Sequence, residues 1–261
     1  MATLPAMAVL PHEGTYPVLY GPFTVPVGSG YRRSYLARPD KAGRYPVVVV
    51  LHDLGGLDAH EKDICRRLAR HGFAAICLEL YEAPPAGTTV ARRLELGLER
   101  YHRLDDATVL TYLDETVEFL ASEDVDWALP SPIGLLAIDV GGRLAVMVAA
   151  HRSYVASLAI AYAPLTGDEE RRFPVAHMLD HISCPVLAIY GAMDELIPAE
   201  TVDEAQRRNP AGSWLLYEGA AHGFLDASSP TYQPAAAEDA LARVLAHLRS
   251  SLPVPVTTDL G

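Results

Sequence analysis

A chain of 261 residues, half of them hydrophobic, has material for one large α/β domain or two small ones. Its formal net charge of -12 excludes nucleic acid and anionic membrane as partners, since both require a basic face. No apolar run approaches the length of a membrane span, and the opening "MATLPAMAVLPHEG" lacks the basic start and apolar core of a secretory signal; Cys65, Cys77 and Cys184 sit in apolar surroundings without paired spacing, so a soluble cytoplasmic protein with reduced core thiols is expected.

In chain order, "YPVLYGPFTV" and "GYRRSYLARP" alternate apolar and polar residues around Gly28 and Gly30, which predicts an antiparallel hairpin. "YPVVVVLH" is a continuous β-branched run of the kind buried on both faces, and "HEKDICRRLARHG" predicts a helix closed at Gly72. "FAAICLEL" gives another buried strand. Two charged amphipathic helices follow at 89–103 and 106–122, the second capped by Asp105 or Asp106. "PIGLLAI", "VASLAIAYA", "CPVLAIYG" and "SWLLYEG" are further short strands, with helices between most of them and a last helix from Ala235 to Ser250. Such alternation predicts a mostly parallel sheet with helices on both faces. No repeat or composition break marks a second domain, so residues 1–252 are expected to form one domain and the Pro-rich residues 253–261 a tail.

Open α/β sheets bind ligands beyond the carboxyl ends of their strands. Four such ends here carry polar groups: "VVVVLH" runs into Asp53 and Leu54, "GLLAI" into Asp139, "VLAIYGAMDELIP" into Asp194, and "WLLYEGAAHGF" into His222. A turn residue, an acid and a histidine, in that order, reproduce the nucleophile, acid and base of the α/β-hydrolase fold. From about Tyr16 to Leu252 the chain resembles the dienelactone hydrolase family, through "VVVVLHDLGGLDAHEKDICRRLARHGFAAICLELY", "IGLLAIDVGGRLAV", "CPVLAIYGAMDELIP" and "YEGAAHGF". That resemblance implies an α/β-hydrolase fold with an N-terminal hairpin and no large cap domain. It places Asp139 where the family has a nucleophilic cysteine or serine, makes Asp194 the triad acid and His222 the base, and assigns the oxyanion donors to the Leu54 and Val140 N–H groups. It also puts Asp53 at a carboxylate position of the pocket; beside what the resemblance implies, Tyr81, Tyr162 and Phe224 are expected to face the substrate.

Departures from the family pattern bear on the chemistry. Ala137 stands where Gly is usual, and Ala83 and Asp226 lie near the places of the arginines that hold a substrate carboxylate. Dienelactone is therefore not the expected substrate; a small, largely uncharged one is. Acyl transfer through Asp139 is chemically poor, because a tetrahedral intermediate would expel the carboxylate (pKa about 3.9) before a phenolate (about 10). Attack on saturated carbon, in an epoxide or alkyl halide, leaves a stable alkyl ester that His222-activated water can cleave. Tyr162, with Tyr81 behind it, is the expected acid for an epoxide oxygen. Two other readings stay open: an acid/base enzyme (lyase, cyclase or isomerase) using Asp53 and Asp139, and an inactive small-molecule binder. No cofactor is implied, and His52, His60 and Asp58 lack the spacing of a metal site. The oligomeric state is left open.

Overall fold

The β-branched run Val47–Leu51 is buried along its whole length, because strands enter the sheet on both sides of it. The computed structural model describes residues 14–82, 84–85, 87–166 and 174–257. The N-terminal stretch read for a signal and Ala83 lie outside them. Strands β1 (Val18–Val27), β2 (Gly30–Pro39), β4 (Val47–Leu51), β5 (Ala74–Leu78), β6 (Ile133–Ile138), β7 (Val155–Ala161), β8 (Val186–Gly191) and β9 (Ser213–Tyr217) form one sheet, in the order β1-β2-β5-β4-β6-β7-β8-β9. The β1–β2 and β2–β5 pairs are antiparallel, and all the pairs from β5 to β9 are parallel. Fold class and hairpin both follow the sequence patterns.

Helices are α1 (Ala59–Arg70), α2 (Val90–Arg103), α3 (Asp106–Leu120), α4 (Val140–His151), α5 (Ala199–Arg208) and α6 (Pro234–Ser251). The β4–α1–β5 crossover runs toward β1 and the β6–α4–β7 crossover away from it. Right-handed crossovers therefore put α1 and α4 on opposite faces. On the α1 face, Arg67 of α1 pairs with Glu238 of α6 at 2.8 Å. Across the sheet, the almost fully buried Arg143 of α4 grips both carboxylate oxygens of Asp106 at the start of α3. Asp105 caps α3 and Asp58 caps α1; the latter forms a reciprocal capping box with the buried Glu61.

The Pro-rich segment after Leu252 is in part held. Val256–Thr257 (β10) pairs antiparallel with Gly43–Arg44 (β3), against the expectation of a plain tail. A two-residue pairing carries no hydrophobic period, so composition alone reads it as loose chain. Cys65, Cys77 and Cys184 are free thiols. No helix among the described residues is long and apolar enough to cross a membrane.

Candidate active site

Parallel pairing carries the polar strand ends to one edge of the sheet. Ile138 is in register with Ala161 and Ala161 with Ile189, so Asp139, Tyr162 and the turn after Gly191 follow on adjacent strands. Asp139 sits on a bend with φ 50°, donates its N–H to Ala161 O (3.0 Å) and accepts from Gly142 N–H (2.8 Å). Side chains near this bend must be small: a Cβ at Gly141 would stand 2.6 Å from the Leu51 and His52 carbonyl oxygens, and one at Gly142 2.3 Å from Ala163 Cβ. Aspartate tolerates positive φ better than most residues, and Ala137 fits despite the family's usual glycine.

Behind the bend, Asp194 is fixed by the Leu196 and Ile197 N–H groups (2.9 and 3.1 Å), which leaves its other oxygen 2.9 Å from His222 Nδ1. His222 Nε2 then lies 3.7 Å from Asp139 Oδ1. Thr231 buttresses this loop by donating to the His222 carbonyl (2.6 Å). The three residues read from distant strand ends are thus in one line, with the imidazole between two carboxylates.

The backbone N–H groups of Val140 and Leu54, the two donors that the resemblance assigned to an oxyanion, both act on the Asp139 carboxylate and favour its charged form. Burial pushes Asp139 above the ordinary carboxylate range, against the pull of His222 and these two donors. Burial lowers His222, but Asp194, Asp139 and Asp53 outweigh it and raise the imidazole above its usual value. Asp53 faces the same space. Burial, and next the charge of Asp139, raise it to about 7, although Gly55 N–H donates to its Oδ1 (2.6 Å). It caps the turn at Gly55; the helix cap is Asp58.

Three of the substrate-facing expectations need correction. Phe224 is fully buried beneath Tyr162, with ring centroids 6.1 Å apart, and belongs to the support. Tyr81 donates its hydroxyl to the Asp53 carbonyl (3.0 Å) and packs edge-on against His52 (4.7 Å), so its proton is committed. Tyr162 lies under His222, with ring centroids 4.8 Å apart, and burial holds its hydroxyl well above the usual range. Their aromatic rings made them plausible walls, but packing turns each ring inward. His52, weighed as a metal ligand, uses both nitrogens internally: Nδ1 on the Asp53 carbonyl (2.8 Å) and Nε2 on Leu80 N–H (3.1 Å). Burial pushes it down to about 4. Asp226, at a family arginine position, accepts from the N–H and hydroxyl of Ser228, both at 2.8 Å.

Sequence reasoning missed Gly97. It lets α2 lie on the loop carrying Leu54, where an added Cβ would stand 2.0 Å from Leu54 O. A lone glycine inside the helical pattern "LELGLER" is the signal that could have found it. Gly97→Ala is expected to cost about 2 kcal/mol of stability and to lower kcat about tenfold by shifting the Leu54 N–H. Thermal melts and steady-state rates on one preparation check both.

Comparison with known proteins agrees with this fold. Residues 33–252 match the model of the Dienelactone hydrolase family. The chain is 30% identical over 256 residues to a Yersinia pestis protein named as a carboxymethylenebutenolidase, covering 94% of each chain. It is 28% identical over 233 residues to a Methylorubrum extorquens protein of that name, covering 87% of this chain and 79% of that one. A crystal structure of a Klebsiella pneumoniae protein named as a dienelactone hydrolase superposes with a TM-score of 0.79 at 28% identity, over 89% of this chain and 99% of that one. A fold, a strand-end arrangement and a match over most of the chain coincide: this is a hydrolase of the dienelactone hydrolase family.

Proposed function

We propose that the protein hydrolyses small uncharged epoxides through an ester formed on Asp139. The observation that carries this reading is the position of the Asp139 carboxylate, which lies 3.7 Å from His222 Nε2 and has its charged form favoured by the Leu54 and Val140 N–H groups. A carboxylate facing these donors keeps its carbonyl oxygen beside them once alkylated, so water attack on that carbonyl generates its oxyanion where donors are waiting.

In the first step an Asp139 oxygen attacks a ring carbon, the C–O bond breaks, and Asp53 gives its proton to the departing oxygen. Asp53, raised to about 7, replaces the tyrosines as the acid, since Tyr81 is committed and both phenols are pushed to higher values. In the second step His222 takes a proton from water, which attacks the Asp139 ester carbonyl. Collapse releases the diol as its alkoxide, to which His222 returns the proton. The remaining proton of that water leaves the regenerated Asp139 carboxyl for Asp53, and the net change is addition of one water to the epoxide. Alkylation also removes one of the carboxylates that keep His222 protonated, so the imidazole releases that proton to solvent before the second step and takes one back when the Asp139 carboxylate is regenerated.

An alkyl halide is the weaker candidate. Its leaving group needs no proton, which would leave Asp53 without a task, and Trp214 Nε1 is already bonded to Asn209 O (3.0 Å). Carboxylates at Asp139 and Asp226 disfavour an anionic substrate. A second reading, proton transfer by the Asp53–Asp139 pair in a lyase, cyclase or isomerase, draws on the same raised Asp53.

Single turnover of styrene oxide in heavy-oxygen water, followed by peptide mass analysis, tests the proposal. Label in the Asp139 side chain is expected. Label confined to the diol would overturn the ester route and favour Asp139 as a base. The pH profile has a definite sign: Asp139 must be ionised and Asp53 protonated, so kcat/KM falls as pH rises through about 7. Asp53→Asn is expected to remove that alkaline limb while lowering the maximum about a hundredfold.

A further inference from the structure

On the face of the sheet covered by α1 and α6 the two helices leave a cavity of about 370 Å³, within the range of small-molecule sites. Its floor includes Ile138 and Ala161, the residues just before Asp139 and Tyr162, yet none of Asp139, Asp194 and His222 lines it. On the α6 wall, Ala237 and Ala240 put methyl groups where larger side chains would close the gap. The lining is mainly apolar, and Asp63, Arg67 and Asp226 bring charge to it.

Two of these charges already have opposite partners. Arg67 pairs with Asp63 at 2.7 Å and with Glu238 at 2.8 Å, and Asp63 also holds Arg66 at 3.2 Å. Asp226 is placed differently. Its carboxylate accepts from the N–H and hydroxyl of Ser228, both uncharged donors, and among the described residues no lysine or arginine stands within ion-pair distance of it. His60 Nδ1 is 3.9 Å away, but burial lowers that imidazole below its ordinary value and keeps it neutral, so it does not compensate the carboxylate. His60 Nε2 is sealed from any guest. The Asp226 side chain, in contrast, keeps 23% of its surface exposed, and a carboxylate has about four acceptor sites, of which Ser228 occupies two.

An accessible, uncompensated carboxylate on an apolar chamber selects a guest that carries one positive charge and is otherwise hydrocarbon. Charge attraction beside low-dielectric walls is stronger than in water, and the net charge of -12 draws cations toward the chain. We propose that this cavity is a second binding site, separate from the catalytic pocket, for a small primary amine with an apolar body whose ammonium group pairs with Asp226. The site stands whether or not Asp139 forms an ester, because none of its contacts uses that residue.

Fluorescence titration at neutral pH with 1-naphthylmethylamine and with 1-naphthalenemethanol, a neutral molecule of nearly the same shape, tests the assignment. One amine per chain is expected to bind, and the alcohol about tenfold more weakly. Asp226→Asn should abolish that preference. Ala240→Leu, which fills the chamber, should weaken both probes about tenfold or more, whereas Asp139→Asn should change either by less than about threefold. If Ala240→Leu fails to fold, Ala237→Phe, on a half-buried position of the same wall, carries the same expectation. Absence of binding, equal affinity for the two probes, a preference that survives Asp226→Asn, indifference to both filling variants, or loss of binding in Asp139→Asn would each overturn the proposal. The last result would place the probe in the catalytic pocket.

Discussion

Asp139→Ala is expected to lower kcat for styrene oxide by about four orders of magnitude or more, and Asp139→Cys is expected not to restore it. In the proposed reaction the alanine variant removes the atom that attacks carbon, and Asp194 cannot stand in for it, being turned toward His222 Nδ1 and held by two N–H groups. The cysteine variant is the informative partner. A thiolate at the bend, with His222 behind it and Leu54 and Val140 N–H beside it, forms an acyl ester readily. Its alkyl adduct, a thioether, has no carbonyl for water to attack. Asp139→Cys should therefore hydrolyse p-nitrophenyl acetate about a hundredfold faster than the parent and be inactivated stoichiometrically by the epoxide. Steady-state rates on the two substrates check this exchange of specificity. Retained epoxide turnover in Asp139→Ala would remove the residue from the reaction.

Removing the base should separate the two chemical steps. In His222→Gln the first step needs only Asp139 and the Asp53 proton, so one equivalent of epoxide is consumed quickly. The ester then persists, because water activation is lost; the second step slows about 10³-fold. Rapid quench should show a burst of one equivalent, and the tryptic peptide carrying Asp139 should gain the mass of the epoxide. A linear time course without an adduct would mean that Asp139 never bonds to substrate. Glutamine also keeps a donor toward Asp194, so the loop held by Thr231 is retained.

Much of the molecule was legible in its sequence, for identifiable reasons. Runs such as "VVVVL" and "IGLLAI" are buried on both sides, and only a parallel sheet flanked by helices does that. The register of such a sheet brings its strand ends together, so Asp139, Asp194 and His222 could be grouped although 28 residues separate the last two and 55 the first two. What stayed hidden depends on the direction of a side chain at the end of a strand. Tyr81, Tyr162 and Phe224 have the composition of a pocket wall, but packing turns them into its foundation. The altered acidity of Asp53 was foreseeable only as a conditional, since it requires Asp139 nearby and little water. The seat of α2 on Leu54 and the pairing of Val256 with Arg44 are contacts between segments with no shared pattern in the sequence.

Among the described residues, Asp139 and Tyr162 are the non-glycine positions with positive φ, at the ends of neighbouring strands. Left-handed backbone at such residues costs on the order of 1 kcal/mol or more each, and the rest of the fold must offset it. Glycine at either position would relax the chain, and Asp139→Gly would also take a charged group out of a buried setting. Heat resistance selected without regard to turnover would therefore tend to erode this enzyme at its reactive centre first, and variants recovered from such a screen should be sequenced there before anywhere else.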